Sequence, residues 1–255
     1  MPANKSSQDL FRYLRGNGPT PSSELVAHFG ISRATLSRRV QELGNAVITI
    51  GSARATQLAA RHEDVSDSIP IYRVTEGGQV ETIGGLTPIR EGEQTQWFLN
   101  PEEAPKALTE GEFKDGLYPG WPWFLEDLRP SGFLGRAFGK RMAHLLQIKE
   151  KPEEWTDLEL LTTLTGFGSS LQGNFILGDR RALNDFQEHK VEISQGYYRN
   201  STTSAYPEMA QRALDEDEAY GSSAGGEQPK FTTMICDTPD SDPRAVIVKF
   251  SPKLD

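Results

Sequence analysis

The stretch from Tyr220 to Lys249 constrains this chain most. It reads Tyr220-Gly221-Ser222-Ser223-Ala224-Gly225-Gly226-Glu227-Gln228-Pro229-Lys230-Phe231 and continues through the apolar segment Phe231-Thr232-Thr233-Met234-Ile235. A turn-rich bridge from Asp237 to Arg244, holding two prolines, then leads to Val246-Ile247-Val248-Lys249. The order is glycine-rich loop, strand, turn, strand, with a lysine closing the second strand. Glycine tolerates positive φ and has no side chain, so a loop of this kind lets backbone N–H groups approach phosphates. A lysine on a neighbouring strand can then neutralise phosphate charge. The same composition also makes an ordinary turn, and neither Gly-x-Gly-x-x-Gly nor the P-loop pattern occurs.

The run Ser222-Ser223-Ala224-Gly225-Gly226-Glu227-Gln228-Pro229-Lys230-Phe231 resembles the loop of the HipA-type serine/threonine kinases, the toxin family of bacterial toxin–antitoxin systems. Val246-Ile247-Val248-Lys249 falls where that family carries its ATP-contacting lysine. The resemblance implies Ser222, Ser223, Gly225, Gly226, Lys230 and Lys249 as nucleotide-binding residues, and ATP with Mg as the cofactors of a complete member. It also makes Ser222 and Ser223 the candidates for autophosphorylation. The aspartate that orients the substrate hydroxyl and the Asp/Asn groups that hold Mg²⁺ lie, in that family, well after the strand lysine. Six residues follow Lys249 here. The expectation is therefore a kinase cut short after the lysine of its N-lobe, with no catalytic residue in these 255 residues and no tight nucleotide binding. Positioning and charge neutralisation supply nearly all phosphoryl-transfer catalysis, so such a chain should not phosphorylate anything alone.

Charge points to a second activity at the other end. The net charge of −9 conceals a basic head: residues 1–62 hold eight Lys and Arg against three Asp and Glu, about +5, which leaves about −14 for the remainder. A basic segment on an acidic body is a reason to look for nucleic acid there. No apolar run approaches the roughly eighteen residues of a membrane span, and the polar start lacks a secretory signal. One cysteine, Cys236, excludes an internal disulfide, which fits a reducing cytoplasm. His28, His62, His144 and His189 are scattered, so no metal site is expected.

Within the head, Asp9-Leu10-Phe11-x-x-Leu14 gives a first helical face, ended by Gly16-Asn17-Gly18-Pro19. Thr20 reads as an N-cap with Pro21 at the first position of a second helix, whose inner face is Leu25, Val26 and Phe29. Gly30 closes that helix, Ile31 plugs the core and Ser32 caps a third, in which Leu36, Val40 and Leu43 face inward. Arg33, Thr35, Ser37 and Arg38 are left outside, near the N-terminal half, where a recognition helix meets base edges. Glu24 to Arg38 resembles the helix-turn-helix of bacterial regulators, with Val26 where that pattern usually has alanine. Val47–Ile50 and Gln57–Ala59 read as a winged hairpin with Arg54 at its tip, suited to phosphate or minor groove. Arg33, Thr35, Ser37, Arg38 and Arg54 are the DNA-binding candidates; a three-helix module that only packs or dimerises, its arginines solvated, is the other reading.

His62 to Ser68 reads as a linker. Ile69–Val74 and Gln79–Ile83 flank Gly77-Gly78 as a hairpin, a further strand falls at 95–99, and 101–116 reads as exposed. Leu134, Phe138, Met142 and Leu145 make the inner stripe of a helix interrupted by Gly132, Gly135 and Gly139, where close approach of another backbone would explain the glycines. Asp127 and Arg129 could pass for acid/base residues, but suit an internal salt bridge better. Thr156-Asp157-Leu158-Glu159 is a capping box, Gly173–Asp179 a strand and turn, and Pro207–Leu214 the start of a helix.

Phe124 to Arg136 and Gly173-Asn174-x-Ile176-Leu177-Gly178 resemble the YjjJ-like branch of the HipA-like family, which carries its own N-terminal helix-turn-helix. The expected fold is α+β: a winged helix-turn-helix over 1–62, a small α+β packing domain over 63–204, and an incomplete kinase N-lobe β-sheet over 205–255. The functional expectation is the N-terminal portion of a HipA-like kinase toxin with a DNA-binding head. The rival is a freestanding DNA-binding regulator whose kinase-like region is a partner or ligand-sensing surface. DNA is the expected partner, two-fold DNA sites would favour a homodimer, and the resemblance adds an antitoxin or regulator protein; no membrane is expected.

Overall fold

The computed structural model describes residues 6–51, 55–65, 67–76, 79–90, 95–168, 173–194, 197–214, 226–236 and 244–251. Helices and several sheets alternate in a mixed α+β arrangement. The chain divides into two compact units, one of Met1–Tyr72 with Glu81–Phe124 and one of Arg73–Val80 with Leu125–Asp255.

The first unit begins with α1 (Ser7–Asn17), started by a capping box in which Ser6 accepts from the Asp9 N–H and the Asp9 carboxylate accepts from the Ser6 N–H. Thr20 does not cap the next helix. Thr20–Pro21 form a short strand, β1, paired with Leu58 and Gln57, and the Thr20 hydroxyl donates to the Gly18 carbonyl. Pairing with a strand nearly forty residues away overrides the local cap signal, so α2 (Ser22–Phe29) starts without a side-chain cap. Gly30 ends α2 in the left-handed region, φ 63°, and Ser32 caps α3 (Arg33–Leu43) by accepting from the Thr35 N–H. Strands β2 (Val47–Ile50) and β3 (Gln57–Ala60) complete a sheet of order β1-β3-β2. Leu10, Leu14, Leu25, Leu36, Val47 and Leu58 form its core, with Val26, Phe29, Ile31, Val40 and Leu43 packed around them.

β5 (Val80–Arg90), β6 (Gln96–Leu99) and β7 (Leu117–Pro119) pair antiparallel, with β4 (Ile69–Val74) on the far side of β5. β5 runs well past Ile83, through Gly84-Gly85 and Pro88, residues that read as strand breakers. Gly85 is needed because a Cβ would lie 2.8 Å from that of Ser68, and the register shifts between Pro88 and Arg90, the kind of irregularity that admits proline. The Pro88 carbonyl accepts from the His62 N–H. Arg61 and His62 are accordingly buried, and Arg61 Nε donates to the Asn45 carbonyl. The segment 101–116 is not simply exposed: Ala104, Leu108 and Thr109 are buried, and the Tyr118 hydroxyl donates to the Leu108 carbonyl. Burial pushes the Tyr118 hydroxyl up to about 12.

The second unit is led by α4 (Gly132–Leu146). Leu134, Phe138 and Met142 are buried as their spacing requires, but Leu145 is 56% exposed, beyond the packed stretch. The glycines of α4 do answer to close backbone approach: a Cβ on Gly135 would meet the Pro130 carbonyl carbon at 2.6 Å, and one on Gly139 the Glu150 oxygen at 2.2 Å. Arg129 pairs with Glu126 at 3.1 Å and with Asp157 at 3.8 Å. The Thr156 capping box starts α5 (Asp157–Phe167), and β8 (Phe175–Leu177) follows. α6 (Arg180–Ser194) and the short β9 (Tyr197–Tyr198) carry no strong local signal. α7 spans Arg199–Leu214 with Pro207 inside it, rather than starting at that proline. Tyr206, beside the proline, packs its ring on Phe231 at 5.7 Å, so tertiary contact carries the helix through. β10 (Lys230–Cys236) and β11 (Arg244–Lys249) form an antiparallel pair, and β10 runs parallel to β9.

Candidate functional site

Two places concentrate the residues singled out from sequence, one in each unit. In the first, α3 presents Arg33, Ser37 and Arg38 to solvent. Thr35 is only half exposed, because its hydroxyl shares a 3.0 Å hydrogen bond with the Ser32 hydroxyl in the helix cap. Arg38 lies 3.7 Å from Glu42, an exposed i,i+4 pair, which is weak enough to give way to a better anion. Arg39, one position on, is buried instead of solvated, and its Nη1 has no hydrogen-bond partner among the described residues. Its charge reaches Asp9, whose carboxyl is held below the usual range first by the Ser6 backbone and hydroxyl, then by Arg12 and Arg39. Arg54 lies outside the described residues.

In the second unit the site is the bend at Gly226–Pro229. Ser222, Ser223 and Gly225 lie outside the described residues. Gly226 has φ 99°, a conformation glycine adopts without strain. Its carbonyl accepts from the Phe133 N–H at 3.1 Å and from Lys230 Nζ at 2.7 Å. Gly132, with φ 64°, comes so close that a Cβ there would lie 2.6 Å from the Gly226 oxygen and 2.8 Å from its nitrogen. Arg136, on the next turn of α4, forms an ion pair with Glu227. On the other side, the Phe250 N–H donates to the Pro229 carbonyl at 3.1 Å.

The two lysines behave differently. Lys230 is 1% exposed, its ammonium held below the ordinary lysine range by burial first, then by the positive charge of Lys249, with Glu227 opposing. Lys249 is exposed and stands directly opposite Lys230 in the β10–β11 register. The strand faces alternate: Phe231 packs on Tyr206 and Phe250, while Ile247, two residues from Lys249, remains 48% exposed. The arrangement combines a positive-φ bend, one buried cation and one exposed cation, which suits an anionic ligand. Sequence reasoning did not attach Gly132, Phe133 and Arg136 to this bend. The glycine at 132 was the available signal, and it named a close approach without naming the partner.

Among the described residues no group of three or more His, Cys, Asp and Glu could hold a metal ion, and no helix is long and apolar enough to cross a membrane. Residues 65–186, which hold β4 to β8, α4 and α5, match the family described as YjjJ-like toxin, middle domain. The chain is similar to the YjjJ-like toxins. It is 32% identical to Toxin YjjJ of Escherichia coli (strain K12) over 240 residues, covering 92% of this chain and 49% of the relative. The chain thus spans about half the length of the curated relative it matches. Both likenesses support a YjjJ-type toxin family. No solved structure matches.

Proposed function

We propose that these residues form the N-terminal part of a HipA-like serine/threonine kinase toxin with a DNA-binding head. In this reading α1 to β3 act as a winged helix-turn-helix, with Arg33, Ser37 and Arg38 of α3 facing DNA, Thr35 shaping the helix start and Arg54 at the wing. In the N-lobe of this reading the Gly226 bend faces nucleotide phosphates together with Ser222, Ser223 and Gly225 of the preceding sequence, and Lys249 neutralises them. In this reading the catalytic Asp and the Mg-binding Asp/Asn groups belong to a part of the protein other than residues 1–255. ATP with Mg²⁺ would be the ligand of the complete site, with its charge met by Lys249 and the backbone of the bend.

The observation that carries this reading is the β10–β11 register, which sets Lys249 across from Lys230 immediately after the Gly226 bend. The DNA half rests on exposed Arg33, Ser37 and Arg38 along one helix whose inner side is filled by Leu36. Titration of Mg-ATP into the chain tests the first half: weak binding is expected, and Lys249→Ala should abolish it. Indifference to that substitution would remove the nucleotide reading. Gel shifts across a salt series test the second, since phosphate contacts release counterions and weaken as salt rises. Salt-insensitive binding, or no loss in Arg33→Ala and Arg38→Ala, would remove the DNA reading.

A further inference from the structure

Taking the Gly226 bend as the nucleotide-facing element proposed above, we infer that Gly132, Arg136 and Lys230 are positioning residues that latch it to the first turns of α4, leaving Lys249 as the cation that meets phosphate. The inference rests on that reading for what the bend serves, but not for how the bend is held. Two donors converge on one carbonyl oxygen: the Phe133 N–H at 3.1 Å and Lys230 Nζ at 2.7 Å, both on Gly226. An ammonium with 1% exposure and a carbonyl within hydrogen-bond distance is committed inside its own unit, whereas Lys249 on the opposite strand is exposed. Hydrogen bonds to a charged group are the stronger kind, so Lys230 is well suited to hold backbone in place.

The α4 side of the latch has its own steric logic. Gly132 sits at φ 64° with the Gly226 backbone where its Cβ would be, so no other residue lets α4 come this close. Arg136 lies four residues further along the same helix and pairs with Glu227, the residue after Gly226. Two consecutive residues of the bend are therefore gripped by one stretch of helix, and the first of them also by the lysine that opens β10.

Hydrogen–deuterium exchange on the full chain without nucleotide reads the latch directly at the Phe133 amide, which donates to the Gly226 carbonyl, and reads the order of the bend at the amides of 226–228, 230 and 231. Lys230→Met and Gly132→Ala are expected to speed exchange there by about tenfold or more, with α1 to α3 unchanged. Lys230→Arg, which can still donate to the carbonyl, should restore most of the protection. Mg-ATP affinity should fall in step with that exposure, while Lys249→Ala should lose affinity with the bend fully protected. If Lys230→Met loses affinity but leaves exchange in the free chain unchanged, Lys230 is a phosphate ligand and the inference is overturned. Should Lys230→Met not fold, Arg136→Gln and Gly132→Ala decide by the same comparison. A wild-type chain that takes up no Mg-ATP would defeat the nucleotide reading, while the exchange results would still judge the latch.

Discussion

The head and the bend solve the same problem, holding a backbone segment in one conformation, by opposite means. Around α3 the devices are local: Gly30 in the left-handed region, Ser32 bonded to the Thr35 N–H three residues on, and a leucine core drawn from neighbouring helices. At Gly226 only Lys230 is near in sequence; the other residues that fix the bend, Gly132, Phe133 and Arg136, precede it by about ninety positions. A surface held by its own helix can tolerate change in its exposed side chains. A bend held from a distance depends on residues that would never touch a ligand.

The sharpest way to break this comparison is Leu25→Ala. Leu25 is fully buried in the head core, and the change should cost about 2–5 kcal/mol. Denaturant unfolding followed by exchange should show the loss around α1 to α3 and leave the bend unaltered. Gly132→Ala is the mirror experiment, expected to cost about 1–3 kcal/mol through strain at positive φ and the clash with Gly226. If it perturbed the head as much as the bend, the two regions would not be separately held. Arg33→Ala and Arg38→Ala should each weaken DNA binding by about tenfold while leaving the melting temperature unchanged.

A smaller effect is expected at Tyr118, where Phe removes the hydrogen bond to the Leu108 carbonyl at about 1 kcal/mol. The pH dependence gives the sign. The folded-state value is raised to about 12, above the ordinary value near 10. The hydroxyl's contribution is therefore fully present below about pH 10 and lost as pH rises toward 12. Tyr118→Phe should flatten that alkaline limb in a pH series of unfolding curves. Least of all, Asp9 has a lowered carboxyl, so its contribution is present above the ordinary carboxylate value and lost as pH falls through the lowered one. Asp9→Asn should remove that acid dependence, visible as convergence of the two melting curves at low pH.

What was legible in the sequence follows the same division. The Gly30 stop of α2, the Ser32 start of α3 and its face, β2 and β3, and the Thr156 capping box all lie within short windows and match the structure to within a residue or two. Thr20 misled because a cap residue and a strand residue look alike until the partner strand is known. α6 escaped because it carries no strong local signal, and the first half of α7 because Pro207 suggested a boundary that Tyr206 packing overrides. The order of loop, strand and lysine could be read directly, but its anchoring could not, since nothing near Gly226 points to Gly132 or Arg136.

The span between Arg136 and Glu227, 91 residues, also sets a timetable. With ribosomes adding about 5–20 residues per second, the first turn of α4 emerges roughly 5–20 s before the acid that will close on it. During that interval Arg136 and the start of α4 are made without the residues they will grip, so the bend can settle only after both ends of the span exist.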